Sequence, residues 1–393
     1  MKISNAAAQE RRQGLRWEWF EELFGHILKP LARRHKHPDC FYRDMRLLAV
    51  DGSKWSLRNT PDIISQSPPR HGNQHGHCAG FIKWGTSTLL EVGTHQPLAV
   101  ARTLPGLDRE EGELNISRRV LHGIPQDEDV LLLADRLYGN GLFIHDVIAV
   151  AGARCQVLAR VAKSLNPKVL KVLGDGSAII EATFRVSGRR EPRKIRLREV
   201  RGHVWRESDS SSAGKPAEFT EIRLWTTLLD EKAHPAQELV RLYAQRWEQE
   251  LFFKELKRHT GREQLLRAGS LQGAEAEFGI MIVAASLLAG LRLRTAESVE
   301  LPAVRISIIK ISTALEALLP MLHVAKDIIS TDQREKIIIK FMEHIAHEAR
   351  IPPRRQRNCQ RALRKPICAW PLIRTREYLD GACTYEIIPI NFP

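Results

Sequence analysis

Three carboxylates are set apart by their surroundings. Asp51 follows the apolar run "MRLLAV", and Asp135 follows "VLLLA". Glu250 lies in "YAQRWEQELFFKELKRHTG", which begins at Tyr243. At about 100° per residue, a helix there would carry Tyr243, Arg246, Glu250, Lys254 and Lys257 within a wedge of roughly 80°. Glu248 and Glu255 would point away from it. A salt-bridge ladder accounts for Arg246, Glu250 and Lys254 at a few tenths of a kcal/mol per pair, and an acid at a strand end commonly caps a turn. Taken jointly, three acids from separate elements can hold two Mg²⁺ ions, which clamp the attacking and leaving oxygens of a phosphodiester. Without cations the same three acids would repel one another. Arg246 and Lys257 would then neutralise phosphate near the scissile bond, and Tyr243 would donate to a neighbouring phosphate oxygen.

The elements that must position these residues are legible in outline. "MRLLAV" predicts a buried strand over 45–50 that runs into Asp51 and the turn "DGS". "FIKWGTSTLLEVGT" and "PLAVARTL" alternate as a meander would, and "GELNISRRVLHGI" reads as a helix. "EDVLLLADRLYGN" repeats the pattern of apolar strand, acid and turn, followed by a helix and the strand "RCQVLARV". The expected divisions are a basic helical lead-in over 1–44, with Trp17, Trp19, Phe20 and Phe24 as its apolar side, and a core over 45–162. A β-rich insertion over 163–230, a second core part over 231–295 and a helical region with a basic tail over 296–393 follow. In the insertion, "KIRLREVR" sets Lys194, Arg196 and Arg198 on one face of a strand. That face reads either as a charged edge that resists aggregation or as a phosphate-tracking surface.

Sixty Lys and Arg against 46 Asp and Glu leave +14, which favours a polyanionic partner, most commonly nucleic acid. A run including Arg354, Arg355 and Arg357 holds no acid and is a second candidate for phosphate contact. Six scattered cysteines without a CxxC pair suggest neither a disulfide framework nor a zinc ribbon and fit a reducing compartment. His71, His75, His77 and Cys78 crowd into a Gly-rich loop, read as a loop beside the first acid rather than a metal site. The N-terminus lacks a signal-peptide core, and "FGIMIVAASLLAG" is expected to be a buried helix rather than a bilayer span. No phosphate-cradling Walker loop is present in the sequence, so nucleotide hydrolysis is not expected.

In their order, "LLAVDGSKWSL", "LLLADRLYGN" and "YAQRWEQELFFKELKRHTG" resemble the three acidic motifs of DDE transposases of bacterial insertion sequences. The similarity is to the insertion-sequence-four branch, defined by a Tyr-x2-Arg-x3-Glu-x6-Lys signature whose positions are filled by Tyr243, Arg246, Glu250 and Lys257. It runs from about Leu47 to Trp370. The resemblance implies an α/β fold: a ribonuclease H-like core, a mixed sheet flanked by helices, interrupted by a β-stranded insertion and followed by a helical C-terminal part. It also implies a Mg²⁺-dependent enzyme (Mn²⁺ a possible substitute) with Asp51, Asp135 and Glu250 as catalytic metal ligands. The expected reaction is cut-and-paste transposition through a DNA hairpin, on terminal inverted repeats and target DNA, by a homodimer in the synaptic complex. Trp225 is a candidate for stacking a displaced base. The implied location is the bacterial cytoplasm, at the nucleoid, with no membrane partner. Members of the branch commonly carry a substantial N-terminal domain, and only about 50 residues precede Asp51 here. The alternatives are a ribonuclease H-like nuclease or resolvase without strand joining, and an inactive DNA-binding relic.

Overall fold

The computed structural model describes residues 11, 14–68, 81–186, 188, 191–206, 219–259, 265–352 and 383–389. In chain order its first elements are α1 (Trp17–Ile27), β1 (Phe41–Tyr42), β2 (Met45–Leu57), α2 (Pro61–Ser65), β3 (Ile82–Glu91) and β4 (Gln96–Arg102). Next come α3 (Glu113–Val120), β5 (Val130–Ala134), α4 (Gly141–Ala151), β6 (Cys155–Arg160), β7 (Lys168–Val172) and β8 (Ala178–Phe184). β9 (Arg193–Arg206), β10 (Phe219–Thr226), α5 (Ala236–Tyr243), α6 (Trp247–His259) and α7 (Leu271–Glu297) follow. The last are α8 (Ile308–Val324), α9 (Thr331–Glu348) and β11 (Cys383–Ile387). The chain divides into two compact units: Met1–Ala159 with Gln245–Ile351, and Arg160–Ala244 with Pro352–Pro393.

In the first unit the strand order is β4-β3-β2-β5-β6. β2, β3 and β4 are antiparallel, while β2, β5 and β6 are parallel. The parallel members need crossovers, supplied by α3 and α4, and their two faces are therefore covered. That is why "LLAV" and "VLLLA" are continuous apolar runs with every residue buried. A central strand with antiparallel neighbours on one side and parallel ones on the other is the ribonuclease H-like arrangement.

β2 does not stop at Asp51. It continues to Leu57 because β3 keeps pairing with it, from Leu48↔Glu91 to Leu57↔Ile82. The turn expected at "DGS" is absent, and Asp51 sits within the strand at the level where β5, its other neighbour, ends.

α7 is longer than the apolar stretch that announced it and forms much of this unit's core. Its Phe278 packs against Trp17, Trp55 and Trp84. By length and composition, α7 and Ile308–Asp327 could each cross a bilayer, but α7 buries Phe278, Met281, Ile282 and Ala289 within the unit. In α1, Trp17, Phe20 and Phe24 are buried as expected, whereas Trp19 is exposed.

The second unit is antiparallel, in the order β10-β9-β8-β7 with β11 also on β9. Arg198 on β9 is fully buried, unlike the exposed Lys194 and Arg196. Its guanidinium donates to Ser177 Oγ at 2.8 Å and the His234 carbonyl at 2.6 Å, and it pairs with Asp175. Asp175 also accepts from the Ala236 amide at 2.8 Å, at the first residue of α5. The wholly basic strand face thus ends before Arg198, which ties the β7–β8 turn to α5 instead of facing a solvent-borne partner.

Candidate active site

One strand register brings Asp51 and Asp135 together. β2 and β5 pair in parallel through Val50↔Ala134, and the next residues of the two chains are Asp51 and Asp135. Each carboxylate folds back on its own backbone: Asp51 Oδ1 accepts from Gly52 N at 2.9 Å, and Asp135 Oδ1 from Arg136 N at 2.6 Å.

Glu250 arrives from α6. The stretch from Tyr243 is not one helix: α5 ends at Tyr243, a 3₁₀ turn covers Ala244–Arg246, and α6 starts at Trp247. Tyr243 therefore leaves the continuous wedge and is buried at the end of α5 in the second unit. Arg246 keeps its place. Its Nη2 donates to Glu250 Oε1 at 2.7 Å, and its Nη1 is 4.0 Å from Asp51 Oδ2. Lys257 is half-buried, with Nζ 5.5 Å from the centre of the Trp55 ring, and the Asp51 charge acts on it. Lys254 is exposed.

Four contacts fix α6. Gln249, fully buried, donates to the Thr88 carbonyl at 3.3 Å, and Thr88 is the β3 partner of Asp51. On the opposite face, Glu248 and Glu255 hold His95 at 2.9 and 2.7 Å. Arg292 of α7 adds a contact to Glu255 at 3.3 Å. The two acids that the helical wheel turned away from Glu250 are thus the ones that clamp the helix.

A further acid is present that the sequence did not single out. Glu113, the first residue of α3, lies against Gly52, where a Cβ would come within 2.4 Å of its Cδ. Tyr138 Oη donates to Glu113 Oε1 at 2.8 Å. Tyr138 is three residues beyond Asp135 in the second acidic motif, a proximity that could have flagged it. Nothing in the spacing flags Glu113.

The electrostatics match this crowding. Burial, then the Glu113 charge, and to a lesser extent Asp135, raise the Asp51 carboxyl from its ordinary 3.8 to about 7, against the opposing pull of the Gly52 amide and Arg246. The donor set is of hard carboxylate oxygens whose mutual repulsion a divalent cation would relieve, which is the chemistry Mg²⁺ requires. Among the described residues no three His, Cys, Asp or Glu side chains are gathered tightly enough to enclose an ion as they stand. In this arrangement the positive charge between Asp51 and Glu250 is Arg246.

Of the remaining expected nucleic-acid contacts, Lys194 is exposed and paired with Glu181 at 2.8 Å, and Arg196 is exposed. Trp225 is buried, and its indole N–H donates to Glu199 Oε2 at 2.7 Å. Arg223 and Arg201 also donate to Glu199, each at 2.7 Å. That bond network locks Trp225 inside the second unit, where it offers no open face for a base. Arg354, Arg355 and Arg357, together with His71, His75, His77 and Cys78, lie outside the described residues.

A mixed sheet that sets Asp51 and Asp135 side by side on parallel-paired chains, with Glu250 on a helix beyond them, is the core of a ribonuclease H-like fold. Residues 42–287 match the transposase DDE domain, and the chain belongs to that family. No curated protein matches it. Among solved structures, the piggyBac transposase in a synaptic complex with hairpin DNA matches at 9% identity with a TM-score of 0.36. The match covers 62% of this chain and 46% of that protein, so less than half of that protein's length is represented here.

Proposed function

We propose that the protein is a DNA transposase of insertion-sequence type. In this reading it cuts transposon ends and joins them to target DNA at one centre built on Asp51, Asp135 and Glu250. The observation that carries the reading is the placement of Asp51 beside Asp135, with Arg246 linking Glu250 to Asp51. Divalent ions, when bound there, would supply Lewis-acid activation of the phosphodiester and of the attacking hydroxyl. Asp51, Asp135 and Glu250 would hold them, with Mg²⁺ preferred and Mn²⁺ able to substitute.

The chain's own residues supply the rest. Arg246 and Lys257 balance the charge of the scissile phosphate, and exposed Lys254 meets the flanking backbone. The clamps through Gln249 and His95 hold Glu250 in register with Asp51. The reaction course is nicking, attack of the freed 3′-hydroxyl on the opposite strand to give a hairpin, reopening, and joining. It is supported by the signature residues Tyr243, Arg246, Glu250 and Lys257. Paired ends imply a homodimer in the synaptic complex.

The test is a pre-cut end oligonucleotide incubated with Mg²⁺. A hairpin product, and joining to a target plasmid that depends on the 3′-hydroxyl, are expected. Cleavage without joining would assign a nuclease or resolvase instead. Glu250→Gln should abolish cleavage while retaining end binding; a variant that still cuts would remove Glu250 from the centre.

A further inference from the structure

α8 is apolar on both sides. Ile308, Ile311, Leu318 and Leu322 form its buried side, and Ala314 and Leu315 pack against the core made with α7 and α9. A surface helix of this kind turns a polar side to water. α8 does not. At about 100° per residue, Ile309, Thr313, Ala317, Pro320 and Val324 fall within a wedge of roughly 80°, and all five are exposed. The exposure grows toward the end of the helix: Met321 is 68% exposed, Val324 78%, and Ile328, just beyond the helix, 81%. Only 22% of the apolar window of this helix is buried, against 56% for α7.

The charge around this face narrows what can cover it. Lys310 and Glu316 are the only Lys, Arg, Asp or Glu side chains of α8, and they fall on opposite flanks of the wedge. Residues 308–348 hold five Lys and Arg against six Asp and Glu, in a chain whose net charge is +14. DNA and anionic lipid both select basic surface, and this is not one. A second copy of the same chain could approach here without the repulsion that its positive charge would meet elsewhere.

The size of the face suits the same occupant. With Leu319 also 57% exposed, the open side chains amount to roughly 600 Å² per chain, beyond what scattered surface residues leave. Two copies together reach about 1,200 Å², where specific interfaces begin. Thr313 and Ala317 are small enough at the middle of the wedge to let a second helix come close, and the larger residues beyond them supply the apolar area.

From this we infer that the free protein is a homodimer, joined by an isologous contact between the outward faces of α8. The contact needs neither DNA nor a divalent ion, so it goes beyond the pairing of ends in a synaptic complex and stands apart from the reading of the acid centre.

The experiment is sedimentation velocity of the full chain at low micromolar concentration, with neither DNA nor metal present. A species of twice the chain mass is expected. Val324→Glu, which sets a charge in the face of both copies, should raise the dimer dissociation constant by roughly 100-fold or more. Because Val324 is exposed within one chain, the variant's circular dichroism spectrum should match the parent's. Met321→Glu should act in the same direction, so the outcome does not hang on one substitution. A parent that sediments as a monomer, or folded variants that both stay dimeric, would overturn the inference. Flotation of the parent with neutral phosphatidylcholine vesicles, lost in Val324→Glu, would also overturn it and give the face to lipid.

Discussion

Arg246 stands between two acids, 2.7 Å from Glu250 Oε1 and 4.0 Å from Asp51 Oδ2. Its guanidinium occupies the place where positive charge is needed, so divalent ions must bind against its repulsion, while the DNA phosphate benefits from it. Arg246→Ala should therefore tighten Mn²⁺ binding, by about tenfold (~1.4 kcal/mol), and still lower strand cleavage. Calorimetry and the end-oligonucleotide assay read the two effects separately. Weaker Mn²⁺ binding in the variant would show that Arg246 supports the ions rather than opposing them.

Asp51 makes the metal-free protein sensitive to pH. Its carboxyl titrates near 7 in the folded chain against an ordinary 3.8. Between those values the folded state binds more protons than the unfolded one, so stability falls as pH rises from about 4 to 7. The full difference corresponds to roughly 4 kcal/mol as an upper figure. Asp51→Asn should remove that slope and melt higher than the parent at pH 8 in chelator. Equal melting at pH 5 and pH 8 in the parent would contradict the shift.

How far the sequence disclosed this site follows from which forces are local. Apolar runs before Asp51 and Asp135 predicted strands because continuous burial leaves a continuous pattern, and the mixed α/β core follows from them. The end of β2 is not legible in the sequence because "DGS" has turn chemistry, while pairing with β3, thirty-odd residues away, extends the strand through it. The wheel drawn from Tyr243 failed only at its start, where a tight 3₁₀ turn resets the phase before α6. Arg198 could not be distinguished from Arg196 by alternation, since its burial depends on Asp175 and on the start of α5 closing over one end of β9. Glu113 was invisible for a related reason: its neighbour Asp51 is set by tertiary packing alone.

His95 is the second pH-sensitive element. It lies in the β3–β4 turn with φ 60°, fully buried between Glu248 and Glu255. Burial favours its neutral form, but the Glu255 charge and the bonds to both acids outweigh this and raise its pKa above the ordinary 6.5, against Arg292. A raised histidine contributes stability that is complete below about 6.5 and is lost as pH climbs through the folded value. His95→Gln should therefore cost about 3 kcal/mol at pH 6, as breaking a buried pair does, and less at pH 9. Because the same clamp sets α6, cleavage by the variant should fall even where it remains folded. Identical losses at both pH values would mean that His95 is neutral in the fold.

Arg198 and Arg196 share a strand and a charge but not a task. Arg198→Ala would leave the Asp175 carboxylate without its guanidinium and the His234 carbonyl without a donor. Removing one partner of a buried, hydrogen-bonded pair costs about 3–5 kcal/mol, and urea unfolding of the full chain should show a loss of that order. Arg196→Ala touches an exposed side chain and should change stability by no more than about 0.5 kcal/mol. If β9 tracks phosphate, Arg196→Ala should instead weaken end-DNA binding and flatten its dependence on salt by about one counterion. A destabilised Arg196→Ala, or an Arg198→Ala chain as stable as the parent, would reverse the roles assigned to these two residues.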